Sequence, residues 1–258
     1  MGIEIVKQLT PEEEELAAKR KELARLEAQL ADEELALASL KAELAAFEGV
    51  YLRRIGVLYS ELDDWNARLA ELRAERAATP EARSEAATAR AQAEESYSAA
   101  HSEAAEVQPV ALTPELKKLY REVAKRVHPD TASDDVDRAR RERLMKEVNA
   151  AYASGDEDAL RRILAGLDSS PDAVQGLGIG ADLIRVLRQL RLVKNRLAAI
   201  NLELAVLAET DIALLKAKAD IAASQGMDLL AEMEADVKRR ISTVRQMYEK
   251  TEAEKVLA

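Results

Sequence analysis

Apolar residues recur every seven positions through the first third of the chain, at Leu16, Leu23, Leu30, Leu37, Leu44, Tyr51, Leu58, Trp65 and Leu72. A seven-residue repeat keeps one stripe on one face of a helix, the seam along which helices pair as coiled coils. A companion series of Leu26, Leu40 and Phe47, then Ile55, Leu62 and Leu69, changes to four-four spacing around Tyr51, beside Gly49, which reads as a stutter. Thr10-Pro11-Glu12-Glu13 predicts the helix start: Thr10 caps, Pro11 suits the first turn, and Glu13 closes a capping box. Helical from Pro11 to Ala78, the segment would run for roughly 100 Å at about 1.5 Å per residue. Residues 1–79 are therefore expected to form an N-terminal coiled-coil helix.

Thr79-Pro80-Glu81 predicts a second start. The Ala-rich stretch that follows has high helix propensity and almost no large apolar residues, so 80–111 reads as a helical connector, either a spacer or a helix with shallow contacts. Residues 112–167 change character, with Tyr, Val and Leu at helical spacing, and 168–180 reads as a linker. From Ala181 the heptads return in two series: Leu183, Leu190, Leu197 and Leu204, and Val186, Val193, Ile200, Leu207, Leu214 and Ile221. Asp211 and Lys218 fall in the first series as polar seam residues, and Ser224-Gln225-Gly226 ends that helix. Residues 181–258 are thus a C-terminal coiled-coil segment. Antiparallel pairing of the two arms is the economical arrangement, and a homodimer satisfies the same pattern. The fold class expected is all-α: long coiled-coil helices flanking a small helical module.

Composition narrows the functional classes. One Trp, one Phe and six Tyr in 258 residues are thin material for a large globular core. The absence of cysteine excludes disulfides, iron-sulfur clusters and thiolate zinc sites. A net charge of -10 opposes nucleic-acid and anionic membrane partners. No signal-peptide pattern or membrane-spanning run is read, which gives a cytoplasmic expectation. His101 stands alone, and Asp63-Asp64 and Asp134-Asp135 lack the spacing of a cation loop, so no metal, no cofactor and no acid-base chemistry is expected.

Against this acidic background one segment is basic. Thr113-Pro114 starts a helix, Leu116, Leu119, Tyr120, Val123, Ala124 and Val127 make its inward stripe, and Lys117, Lys118, Arg121, Lys125 and Arg126 decorate the remaining surface. Pro129 removes His128 from the helical region and ends the helix, leaving the Asp130 carboxylate presented on a loop. A second helix begins near Asp137, carrying Leu144, Met145, Val148, Ala151 and Tyr152 inward. Ser154-Gly155 breaks it, and Asp156 to Leu167 predicts a short third helix.

Residues 112–167 resemble the J-domain family of DnaJ-type co-chaperones. The resemblance rests on the basic helix, on His128-Pro129-Asp130 after it, and on Met145-Lys146-Glu147-Val148-Asn149-Ala150-Ala151-Tyr152, where the family reads Phe-Lys-x-Ile-x-x-Ala-Tyr. By chance the tripeptide alone would fall in roughly one or two per cent of chains this long; the patterned helices on both sides make chance a poor account. Three features depart from the family. Met145 replaces Phe, Glu122 stands where family members often carry Lys or Arg, and upstream of Thr113 there is no Tyr-x-x-Leu-Gly first helix. The hairpin surface that helix would cover is expected to pack instead on the Ala-rich helix or on a coiled-coil arm.

The resemblance implies a protein that is not itself an enzyme. Lys117, Lys118, Arg121, Lys125, Arg126, His128, Pro129 and Asp130 would bind a DnaK-class chaperone and stimulate its ATPase, while the arms select an unknown client or anchoring protein. The other reading is a structural coiled-coil scaffold carrying a degenerate J-like module.

Overall fold

The computed structural model describes residues 10–132, 134–167 and 178–256, and among them every regular element is a helix. In chain order these are α1 (Pro11–Tyr51), a π turn (Leu52–Gly56), α2 (Val57–Ala77), α3 (Pro80–Ala100), α4 (Glu103–Glu106) and α5 (Pro114–Val127). A 3-10 turn (Pro129–Thr131) follows, then α6 (Asp135–Ser154), α7 (Glu157–Leu167), α8 (Ile179–Ala208), α9 (Asp211–Ser224) and α10 (Leu229–Val256). No described helix is long and apolar enough to cross a membrane. Most of the expected 168–180 linker lies outside the described residues, and α8 already includes Ile179 and Gly180.

The helix boundaries follow from local chemistry. The Thr10 amide donates to Glu13 Oε2 at 2.8 Å while the Glu13 amide donates to Thr10 Oγ1 at 3.3 Å, a reciprocal capping box. Thr79 and Thr113 accept from the Ala82 and Leu116 amides in the same way, each with proline in the first turn. Gly155 ends α6 at φ 70°, a left-handed conformation that disfavours other residues. The four-four spacing near Tyr51 is absorbed by the π turn, whose wider loop takes up the irregularity while the backbone between residues 43 and 77 stays helical.

The chain forms two compact units, one combining residues 1–42 and 110–208, the other 43–109 and 209–258. In the first, Leu16, Leu23, Leu26, Leu30 and Leu37 of α1 bury against Val186, Leu190, Val193, Leu197 and Ile200 of α8. The pair is parallel, not antiparallel as the sequence suggested: Arg20 meets Asp182 at 2.9 Å, Glu34 meets Arg196 at 2.7 Å and Lys41 meets Glu203 at 3.2 Å, so both indices rise together. A heptad repeat reads alike in both directions, so the sense of pairing is set by the connection and not by the stripe.

Also in this unit, α5 and α6 run antiparallel and α7 closes them over a core of Leu116, Tyr120, Val123, Val127, Val148, Tyr152 and Leu160. Leu35 and Ala38 of α1 complete that core, so a long arm does cover the hairpin surface. Two buried phenols fix the docking, with the Tyr152 hydroxyl 2.7 Å from Ser39 Oγ and Tyr120 Oη 3.5 Å from the Glu34 carbonyl, while the same Tyr120 hydroxyl ties α5 to α6 through Asn149 Oδ1 at 2.8 Å.

In the second unit α2 and α10 are again parallel, with Arg54 meeting Asp228 at 3.4 Å, Arg76 meeting Glu254 at 3.1 Å, and Leu62, Val237 and Ile241 buried between them. Trp65 packs edge-on to Tyr248 in the same seam. The Ala-rich α3 returns antiparallel along α2, burying Ala86, Ala93 and Ala100, so its contacts are shallow rather than absent. The seam reading of Asp211 is corrected. The helix breaks at Glu209-Thr210, Thr210 takes extended backbone, and Asp211 is a first-turn acid of α9, which buries no residue.

Candidate functional site

The site is the turn between α5 and α6. Pro129 sterically excludes the helical conformation from its predecessor, and His128 sits at φ −61° and ψ 127°, ending α5. The turn then closes on itself. The Asp130 amide donates to His128 Nδ1 at 3.1 Å, and Thr131 Oγ1 donates to the His128 carbonyl at 2.8 Å. Because Nδ1 accepts a backbone proton, the imidazole proton lies on Nε2, which faces Glu34 Oε1 at 3.1 Å. Both ring nitrogens are therefore engaged by groups of the chain itself.

The expectation that Asp130 projects into solvent is corrected. Asp130 is 8 % exposed and His128 3 % exposed. The reason is chemical as well as steric. Arg138 of α6 reaches Asp130 Oδ1 at 3.4 Å, and His128 is drawn to Glu34 on the α1 face next to the leucine seam. Glu34, itself only 5 % exposed, receives Arg196 of α8 on both oxygens, Nε at 2.7 Å and Nη2 at 3.1 Å. Arg196 also reaches Glu203 at 2.6 Å, which Lys41 meets at 3.2 Å. A cleft of about 260 Å³, lined by Glu34, His128, Asp130, Met145, Asn149 and Arg196, opens beside the turn.

This chain of charges shifts its members. Burial pushes the Glu34 carboxyl up, but the hydrogen bonds from His128 and Arg196 outweigh it and hold it below the ordinary carboxylate value. Burial works against the charged Arg196, yet Glu34 and Glu203 leave its guanidinium more firmly protonated than usual. Tyr120 is pushed up by burial and by the Glu34 charge nearby. No three His, Asp or Glu side chains gather as a metal-ligand set among the described residues.

The predicted basic residues share the outer surface of α5. Lys118, Arg121, Lys125 and Arg126 are exposed and Lys117 is half-buried. Two of them face carboxylates of α1: Arg121 pairs with Asp32, and Lys125 lies in the field of Glu27, whose carboxyl is raised by burial against the pull of Lys125, Arg141 and His128. Arg126 meets Glu122 one turn back at 3.3 Å. Glu34, Arg196 and Arg138 were not found from sequence. The available signal was Leu35, a large apolar residue outside both heptad series, which marks a second packing face of α1 at Ala31, Glu34, Leu35 and Ala38. Compared with protein-family models, curated proteins and solved structures, the chain finds no match.

Proposed function

We propose that this protein is a J-domain-type co-chaperone that recruits a DnaK-class ATPase and stimulates its hydrolysis. The observation that carries the reading is the turn His128-Pro129-Asp130 closing an antiparallel hairpin whose first helix has an apolar inner stripe and a basic outer surface. The exposed cations Lys118, Lys125 and Arg126, with Lys117 and Arg121, would steer an acidic partner surface, a contribution that weakens with salt. Asp130 would then pair with a partner cation in a desolvated contact, with His128 and Pro129 setting its geometry. No bond is made or broken on this chain. The seven-residue spacing of the buried leucines supports coiled-coil arms, which would choose the client or the place of action. Full-length protein should raise the steady-state ATPase of a DnaK-class chaperone several-fold, and Asp130→Asn should remove the rise while helicity stays constant. Equal rates with both proteins overturn the reading.

Burial of His128 and Asp130 within the chain favours a second reading, a structural scaffold in which the turn is an internal strut. A pull-down with no ATP-dependent capture of a DnaK-class chaperone, with rod-like self-association intact, would select it.

A further inference from the structure

Three features converge on one surface of the hairpin. First, α1 sets carboxylates opposite its cationic side, with Asp32 on Arg121, Glu27 in the field of Lys125 and Arg141, and Glu34 on His128. Second, α8 backs that contact, with Arg196 gripping both oxygens of Glu34 and Gln189 Nε2 donating to the Thr131 carbonyl at 3.5 Å. Third, what fastens the turn to α1 and α8 is polar, whereas the bonds that shape the turn are its own. The Asp130 amide to His128 Nδ1 and the Ala132 amide to the Pro129 carbonyl at 3.2 Å both survive if α1 moves away.

We infer that α1 and α8 act as a latch on the hairpin, with the carboxylates of α1 occupying the surface an acidic partner would use, so that the His128–Asp130 turn engages a partner only after the paired arms lift. What the latch regulates rests on the co-chaperone reading; the latch itself does not. The energetic asymmetry supports a movable contact. The α1–α8 seam is a row of buried leucines and valines, so those helices stay together, while α1 gives the hairpin core only Leu35 and Ala38. A buried ion-pair network adds little net stability against solvation, so the charged part of this docking sits close to balance and leaves Leu35, Ala38 and the two phenol contacts to hold the rest. Lys118 and Arg126 remain on the open surface, where an approaching acidic partner meets them before the turn is free.

The chain offers a direct readout, because its two histidines are the exposed His101 and the latched His128. In the full-length protein, carbethoxylation followed by mass spectrometry should modify His101 much faster than His128. Glu34→Ala should accelerate His128 modification about tenfold and leave His101 unchanged. Arg196→Met should do the same from the other side of the network, and an unchanged circular dichroism spectrum guards against unfolding. If wild-type His128 reacts as fast as His101, or if neither substitution changes its rate, the latch is overturned. Stimulation of a DnaK-class ATPase is measured on the same samples. A rise in parallel with His128 exposure supports both statements. Accelerated modification with no stimulation by any variant keeps the latch and sinks the co-chaperone reading, whereas wild-type stimulation equal to that of Glu34→Ala and Arg196→Met, despite their exposed His128, sinks the latch as a regulator.

Discussion

The two units solve one problem with different chemistry. Each has a parallel pair of long helices and a further element docked on it: α3 on α2 in one, and the α5–α7 group on α1 in the other. On α2 the docking uses Ala86, Ala93 and Ala100, and its polar links lie at the surface, where Arg90 forks onto Glu71 at 2.8 Å and 2.9 Å. On α1 the docking buries Glu34, His128 and Asp130. Alanine contacts with solvated ion pairs suffice to hold a helix, so the buried charges of the first unit are not needed for adhesion. Desolvating them has a cost that apolar side chains of similar size would avoid. Their placement at one turn therefore points to a role other than stability.

Truncating the hairpin core should separate the units most. Tyr120→Ala removes a fully buried ring packed 4.6 Å from Tyr152 and should destabilise the first unit by about 3–5 kcal/mol, read as faster amide exchange in α5 and α6 with the α2–α3 peptides unchanged. Equal acceleration in both units would show that they unfold as one body and break the comparison. Acidification should come next. The folded Glu34 carboxyl titrates below its ordinary value of 4.5, so its stabilisation is fully present above that value and is lost as pH falls through the folded one. Docking of α1 on the hairpin, followed by exchange in α5, should weaken along that acid limb, and Glu34→Ala should flatten the limb. The smallest effect should be Arg90→Ala, at most about 1 kcal/mol in the second unit and reduced further by salt, because its ion pairs are largely solvated. A larger loss, insensitive to salt, would place the two dockings in the same class.

Much of the fold was legible because local chemistry repeats itself. Thr-Pro starts at residues 10, 79 and 113 each carry their own cap, and the stutter at Tyr51 appears as a π turn. The turn itself was found because proline dictates its neighbour's backbone. The sense of helix pairing was not legible, since a heptad stripe has no direction. The break at Glu209-Thr210 hid behind an uninterrupted apolar series that continues to Ile221. The setting of His128 depended on Glu34, which bonds to its ring, and on Arg196, 162 positions away, which grips Glu34. In sequence both look like ordinary charged flanks of a helix; only the tertiary path brings them to one imidazole.

The π turn at Leu52–Gly56 makes the chain sensitive to counting. Each residue advances a helix by about 100°, so deleting one residue there would turn every downstream side chain of α2 by that angle relative to residues 43–51. Asp63 and Asp64 would sweep toward the direction now taken by Leu62 and Leu69. A change of length within those five positions should therefore be costly whichever residue is removed, a constraint on counting that adds to the packing of the buried Ile55.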